Sequence, residues 1–315
     1  MKKSSPFFLA LSTLLIFNAC NQVEKKSENN QELDTNLFKN QSNETFDDYW
    51  YSGNAEITSY ELQQARYGEI RKGEAVLIFV TEDFLVNSQV KKESETNEAA
   101  TSVLKLNFLR KFPTGIYDYS MMTSTFNPIN QEKYTSPIKS TTSSQEWCGH
   151  SWMQLNQNNK GFDITSFSYF QAEGDKQFEL ANEAIIEDAL WTQIRINPDL
   201  IPRGERMIFP SAHFLRFSHN ELKAYKAVIT FDRNPDKKYR NLMVNYPELK
   251  RFLKITFQKE FPHEIISWEE SHKSGFGTNA KTMKTTAFKK GQQIGPYWEQ
   301  NSIEDSHLRD SLKLK

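Results

Sequence analysis

The sequence predicts a mainly β protein: one large antiparallel sheet, curved into a half-barrel or barrel-like form, with one packed amphipathic helix. Three observations predict it. The 315 residues include 23 Phe, 12 Tyr and 6 Trp, and aromatic side chains suit the half-buried pleated surface of a sheet. Short apolar or alternating runs recur, bounded by Gly, Pro, Asn or Asp, as strands bounded by turns are. One stretch, 179–191, shows helical spacing instead. A sheet this large needs a second layer, so that helix is a candidate lid.

The chain starts with Lys2 and Lys3, an apolar run from Phe7 to Phe17, then Asn18-Ala19-Cys20. A basic start, a short apolar segment and a small residue describe a secretory signal over 1–20. At about 1.5 Å per residue the apolar run is too short to span a ~30 Å hydrocarbon core. Cys20 after Ala19 resembles a bacterial lipobox, although Phe17 and Asn18 depart from its usual residues. That resemblance implies lipidation of Cys20, a membrane partner through the lipid, and a place in the cell envelope. Ordinary secretion and an uncleaved anchor are the alternatives. Residues 21–45 are polar without apolar period and read as a flexible tether. Glu24 is followed at once by Lys25 and Lys26, which favours the periplasmic face of the outer membrane.

Without the signal the chain carries 37 basic residues (39 less Lys2 and Lys3) and 40 acidic ones. A charge near −3 speaks against nucleic acid as a partner. With Cys20 lipidated, Cys148 is the one cysteine left, so no intramolecular disulfide is available. The core must hold the fold, and the chain is long enough to build one.

The β-rich domain is expected over 46–270. Order begins at 46–51; Ile57, Tyr60 and Leu62 form a strand-prone run ending near Gly68. Residues 75–81 are continuously apolar, as in a strand buried on both faces. After a polar loop at 87–101, Leu104, Leu106 and Phe108 alternate with Lys105 and Asn107, a strand with one wet face. Strand-like segments follow at 115–126, 141–156 and 161–170. Leu180, Ala184, Ile185, Ala189 and Leu190 form the helical stripe, which ends before Asn197-Pro198. Further strands are expected at 207–209, 212–217, 225–231, 241–246, 252–257 and 264–268. Asn234-Pro235-Asp236 and Phe261-Pro262 supply turns. Residues 271–315 read as a Lys/Gly-rich C-terminal arm, pinned by Pro296-Tyr297-Trp298 and frayed after Asn301. The loop at 87–101 and the turn at 197–204 leave one domain or two open.

Three stretches carry a resemblance: 48–60 (Asp-Tyr-Trp-Tyr-Ser-Gly-Asn-Ala-Glu-Ile-Thr-Ser-Tyr), 145–150 (Gln-Glu-Trp-Cys-Gly-His) and 274–283 (Ser-Gly-Phe-Gly-Thr-Asn-Ala-Lys-Thr-Met). They resemble a family of flavobacterial lipoproteins over nearly the whole mature chain. That family implies no assigned activity, and its members are sometimes labelled septum formation inhibitor Maf. Maf proteins are cytoplasmic nucleotide pyrophosphatases with a Ser-x-Ser-Pro-Arg-Arg stretch, which this sequence lacks. The strand order is also similar, at fold level only, to periplasmic half-barrel carriers that hold lipid chains.

The sharpest chemical constellation is Glu146-Trp147-Cys148-Gly149-His150. On a strand, Glu146, Cys148 and His150 share a face, as a Cys-His nucleophile or a metal site would need. Residues two apart stand roughly 6.5–7 Å apart at Cα, so the side chains would have to converge. The alternative is a sheet-core Cys and a hydrogen-bonded His. The histidines at 150, 213, 219, 263, 272 and 307 form no zinc signature, and no metal or cofactor is implied. Asp47-Asp48 beside Tyr49-Trp50-Tyr51 is a candidate sugar platform or an ordered domain edge. Gly275-Phe276-Gly277 lacks the context of a dinucleotide loop.

The leading reading is a non-enzymatic envelope lipoprotein, a binding or scaffold domain with a lipid or glycan as candidate ligand. An envelope hydrolase using Cys148 and His150 is the alternative. A Maf-type pyrophosphatase, as the family label implies, is the third.

Overall fold

In the computed structural model, residues 44–181, 183–232 and 238–314 are described. The signal at 1–20 with Cys20, the tether to residue 43 and the turn at 234–236 lie outside them.

Helix α1 (Glu44–Trp50) leads into β1 (Ala55–Arg66), β2 (Glu69–Leu85), β3 (Val90–Lys91), β4 (Ala100–Thr114) and β5 (Tyr117–Pro128). Then come β6 (Lys139–Glu146), β7 (Gly149–Asn158), β8 (Gly161–Ser168), β9 (Lys176–Ala181) and β10 (Ile185–Ile186). A 3₁₀ turn (Glu187–Ala189) continues into α2 (Leu190–Ile196), followed by β11 (Gly204–Phe209) and α3 (Ala212–Ser218). The chain closes with β12 (Tyr225–Phe231), β13 (Tyr239–Tyr246), β14 (Arg251–Gln258), β15 (Ile265–Ser274) and β16 (Lys281–Gly295).

These strands form one sheet, ordered β10-β11-β12-β13-β14-β15-β16-β1-β2-β4-β5-β6-β7-β8-β9, with β3 beside β2. Pairing is antiparallel except between β10 and β11. The half-barrel or barrel-like form expected from the sequence is not what forms: the sheet is open. Its path ends at β10 on one side and β9 on the other, with no ladder between them. Closure needs a full-length edge in register. β10 offers two residues, already paired with β11, before the chain turns into helix.

The expected helix at 179–191 is also displaced. Leu180 lies on β9 opposite Phe162, Ile185 and Ile186 form β10, and the α-helix is the seven residues from Leu190 to Ile196. A helix this short has little stability of its own, so cross-strand pairing claims the first half of the stripe. The end came where expected: Asn197 adopts extended backbone and its side chain accepts the Asp199 N–H.

Residues 212–217, expected as a strand, are helix α3. A short apolar run does not distinguish the two by periodicity, and Ala212, His213, Phe214, Leu215 and Phe217 are all buried in helical form. The expected strand at 141–156 is a hairpin of β6 and β7.

Helix α2 is a packed layer rather than a lid. Trp191 lies 5.0 Å from Phe108 and 5.3 Å from Trp268, ring centre to ring centre. Arg195 makes two 2.5 Å bonds to Glu56 on β1, both residues being buried. Lys281–Gly295, in the Lys/Gly-rich segment, lies inside the sheet between β15 and β1. The end does not fray after Asn301: Ser302 and Asp305 form a capping box over Ile303–Asp310, and Leu312 is buried. The Ser59 hydroxyl donates to the Leu312 carbonyl. Gly291 permits this approach, because a Cβ there would strike the Ser311 carbonyl.

Candidate ligand cleft beside helix α3

Helix α3 is fixed from below by a buried charge network. Arg251 donates to Glu187 at 2.5 and 2.6 Å and through Nε to Glu270 at 2.8 Å. Arg110 stands 3.8 Å from Glu270, and the Tyr246 hydroxyl bonds Glu187. Burial pushes the Glu270 carboxyl up, but Arg251, His272 and Arg110 outweigh it and hold it down to about 2. Burial and the neighbouring Glu187 push Asp188 the other way, up to about 6. Asp188 accepts the Ala212 N–H at 3.2 Å, tying the start of α3 to this network. Ion pairs so deeply enclosed hold structure, and removing one partner costs about 3–5 kcal/mol.

Above the network, a cleft of about 440 Å³ separates α3 from the wing β6–β8. On β6 the buried positions are Ser140, Thr142 and Ser144, where a sheet core would carry aliphatic side chains. Thr142 bonds the Thr123 hydroxyl at 2.8 Å, which meets His213 Nε2 at 3.3 Å. Ser144 Oγ is buried without a partner among the described residues. Ser151, Trp152 and Ser166 continue the wall.

The rim is ionic. Glu173 accepts Arg216 Nη1 at 3.0 Å, His219 Nδ1 at 2.8 Å and the Ser168 hydroxyl at 2.5 Å. Burial raises this carboxyl, but the bonds from His219 and Ser168 and the charge of Arg216 hold it at about 2. An ionised carboxylate only accepts, so His219 Nδ1 carries the proton. His219 caps α3 in the left-handed region at φ 54°, and the Glu173 bond helps hold it there. Arg216 lies over the Phe170 ring at 4.5 Å, its Nε unpartnered among the described residues.

A carboxylate–imidazole pair is two parts of a nucleophilic triad. The third is missing among the described residues: the Ser168 hydroxyl bonds Glu173, not His219. The arrangement can bind hydroxyls and polar groups, and it lacks an activated nucleophile.

The structure brings Glu146 and Cys148 together at a turn, while His150 pairs with Gln145, apart from them. Glu146 ends β6, Trp147 and Cys148 make the turn, and Gly149 opens β7 opposite Glu146. Strand alternation stops at the turn, so the shared face does not exist. Cys148 is exposed rather than in the core. Its N–H donates to Glu146 Oε2 at 2.7 Å, and the thiol's bond to Glu146 pushes its pKa up, away from the thiolate a nucleophile needs. His150 faces a shallow depression beside Trp152, Phe167 and Tyr169. No group of His, Cys, Asp or Glu suited to a metal ion occurs among the described residues. The candidate platform at 47–51 is not presented as one, since Trp50 is buried against Phe79.

Glu173, Arg216 and His219 were missed because they meet across 46 residues of chain. One signal was present: Ser140-Thr-Thr-Ser-Ser144, a strand of hydroxyls. No family model, curated protein or solved structure matches the chain, and the functional reading rests on the cleft itself.

Proposed function

We propose that this chain is an envelope-anchored, non-catalytic binding domain whose cleft takes a polyhydroxylated ligand, a glycan rather than a lipid chain. The observation that carries this is the inward face of β6. Two of its buried hydroxyls, Thr142 and Ser144, the second without a partner among the described residues, line the cleft together with Trp152, the ionic rim and the apolar Met153, Leu215 and Leu222. Hydroxyls set among apolar side chains match a sugar ring, with its polar edge and apolar face, while an acyl chain would leave the hydroxyls without hydrogen bonds. Where an acyl chain would need an apolar hollow under the helix, Trp191, Phe108 and Trp268 fill the space. The anchor rests on residues 1–20. A hydrolase centred on Cys148 finds no support in a thiol displayed on a hairpin turn.

The test is titration of the full chain with soluble envelope oligosaccharides, read by tryptophan fluorescence and calorimetry. Saturable binding is expected, with a loss of about tenfold in Ser144→Val, the scale of one buried hydrogen bond near 1.5 kcal/mol. Binding that Ser144→Val leaves unchanged, or none at all beside an adduct of bound lipid in native mass spectra, would overturn the reading.

A further inference from the structure

We propose that residues 169–175, between β8 and β9, are a flap over the candidate cleft, latched to α3 by Glu173 and released to admit the ligand. The flap carries Ala172, Glu173 and Gly174 into the lining of the cleft, and α3 supplies Arg216 and its cap His219 opposite them. Among the described residues, the hydrogen bonds that join the flap to α3 all end on Glu173, from Arg216 at 3.0 Å and from His219 at 2.8 Å. Its other hydrogen bonds among the described residues stay within 168–175. The Glu173 and Gly174 N–H groups donate to the Phe170 carbonyl at 3.0 and 2.9 Å. Ser168 closes the base, its N–H donating to Asp175 at 3.3 Å and its hydroxyl to Glu173 at 2.5 Å. Such a loop keeps its own shape when the latch breaks, and it moves as a piece.

As it stands, the cleft is shut over part of its own wall. Ser144 is 3% exposed and its Oγ is sequestered without a partner among the described residues, so a ligand hydroxyl reaches it only when part of the cover moves. Helix α3 is not that part: Ala212, Phe214, Leu215 and Phe217 are buried, and Asp188 holds its first N–H. Nor is β6, which is paired on both sides, with β5 and with β7. The flap has far less to hold it. Tyr169 is 72% exposed, and Gln171, Ala172 and Asp175 are exposed as well; segments with few buried contacts open first. The latch suits a reversible contact. The Glu173 and His219 side chains are 25% and 37% exposed, and ion pairs open to solvent hold weakly. Phe170 under the Arg216 guanidinium, at 4.5 Å, gives the flap a seat to close upon. The proposal rests on the reading of this cleft as the ligand site.

The experiment needs no ligand. In the full chain carrying Cys148→Ser, Ser144→Cys places a thiol in the cleft wall, and a methanethiosulfonate reagent modifies it at a rate read by peptide mass spectrometry. Modification is expected to be slow, and about tenfold faster once Glu173→Gln is added, the scale of one charge-assisted hydrogen bond. Hydrogen exchange on the same proteins separates a flap from general loosening: the amides of 169–175 should speed up while those of α2 do not. A rate at residue 144 that Glu173→Gln leaves unchanged, or one that rises together with exchange throughout α2, would overturn the flap. Faster modification in a chain that binds no oligosaccharide would keep the flap and remove the glycan reading instead.

Discussion

Asp188 shows how one buried carboxylate sets a pH dependence. Its pKa is raised from 3.8 to about 6 by burial and by Glu187. A raised pKa means that the folded state binds the proton more readily. This contribution to stability is fully present below 3.8 and is lost as pH rises through about 6, by roughly 3 kcal/mol over the shift of 2.2 (6 − 3.8). His213, His263 and His272 act in the opposite sense. Burial lowers each below 6.5, so their contribution is lost as pH falls below that value. Glu173 and Glu270, held at about 2, matter only below 4.5. A simple melting profile would mix these terms. Asp188→Asn isolates one, because Asn still accepts the Ala212 N–H. Denaturation of both proteins should show the variant gaining on the parent between about pH 4 and pH 6.5, the window set by the two pKa values, and a gap constant across that range would refute the assignment.

Among elements, the sequence was legible where a single period ruled. Leu104, Leu106 and Phe108 alternate with wet residues and lie inward on β4, as expected. It was less legible where one apolar run suits two structures. Phe214, Leu215 and Phe217 pack equally well from a strand or a helix, and it is Asp188, 24 residues upstream, that receives the first N–H of α3. The 179–191 stripe failed for a related reason, because pairing of Leu180 with Phe162 lies outside local sequence. The candidate site shared that limit: Glu173 is unremarkable until β9 and α3 bring His219 beside it. The same packing makes α2 a structural element with a measurable cost. Trp191→Ala should destabilise the fold by about 3–5 kcal/mol, the range for a buried Trp, as measured by urea denaturation. A loss under 1 kcal/mol would mean that α2 is a movable cover after all.

For the whole molecule, the described residues fall within one compact unit, and the proposed cleft lies beside α3. Anchoring acts at this scale too. If Cys20 carries lipid, Cys20→Ser should abolish metabolic labelling with a fatty-acid probe and shift the protein out of the membrane fraction. Equal labelling of both proteins would remove the anchor from the proposal.

The pairing of β16 with β1 joins residues as far apart as Ala55 and Gly295, a separation of 240 (295 − 55). Contacts of such range are slow to form, since a long loop must close first. A ribosome delivers β1 early and β16 last, and neither inner edge of the sheet is complete until then. The sheet therefore stays in two unjoined halves until the last strand is made. A stop codon ahead of Lys281 would leave β1 and β15 as bare edges in the middle of the sheet, open to pairing between chains.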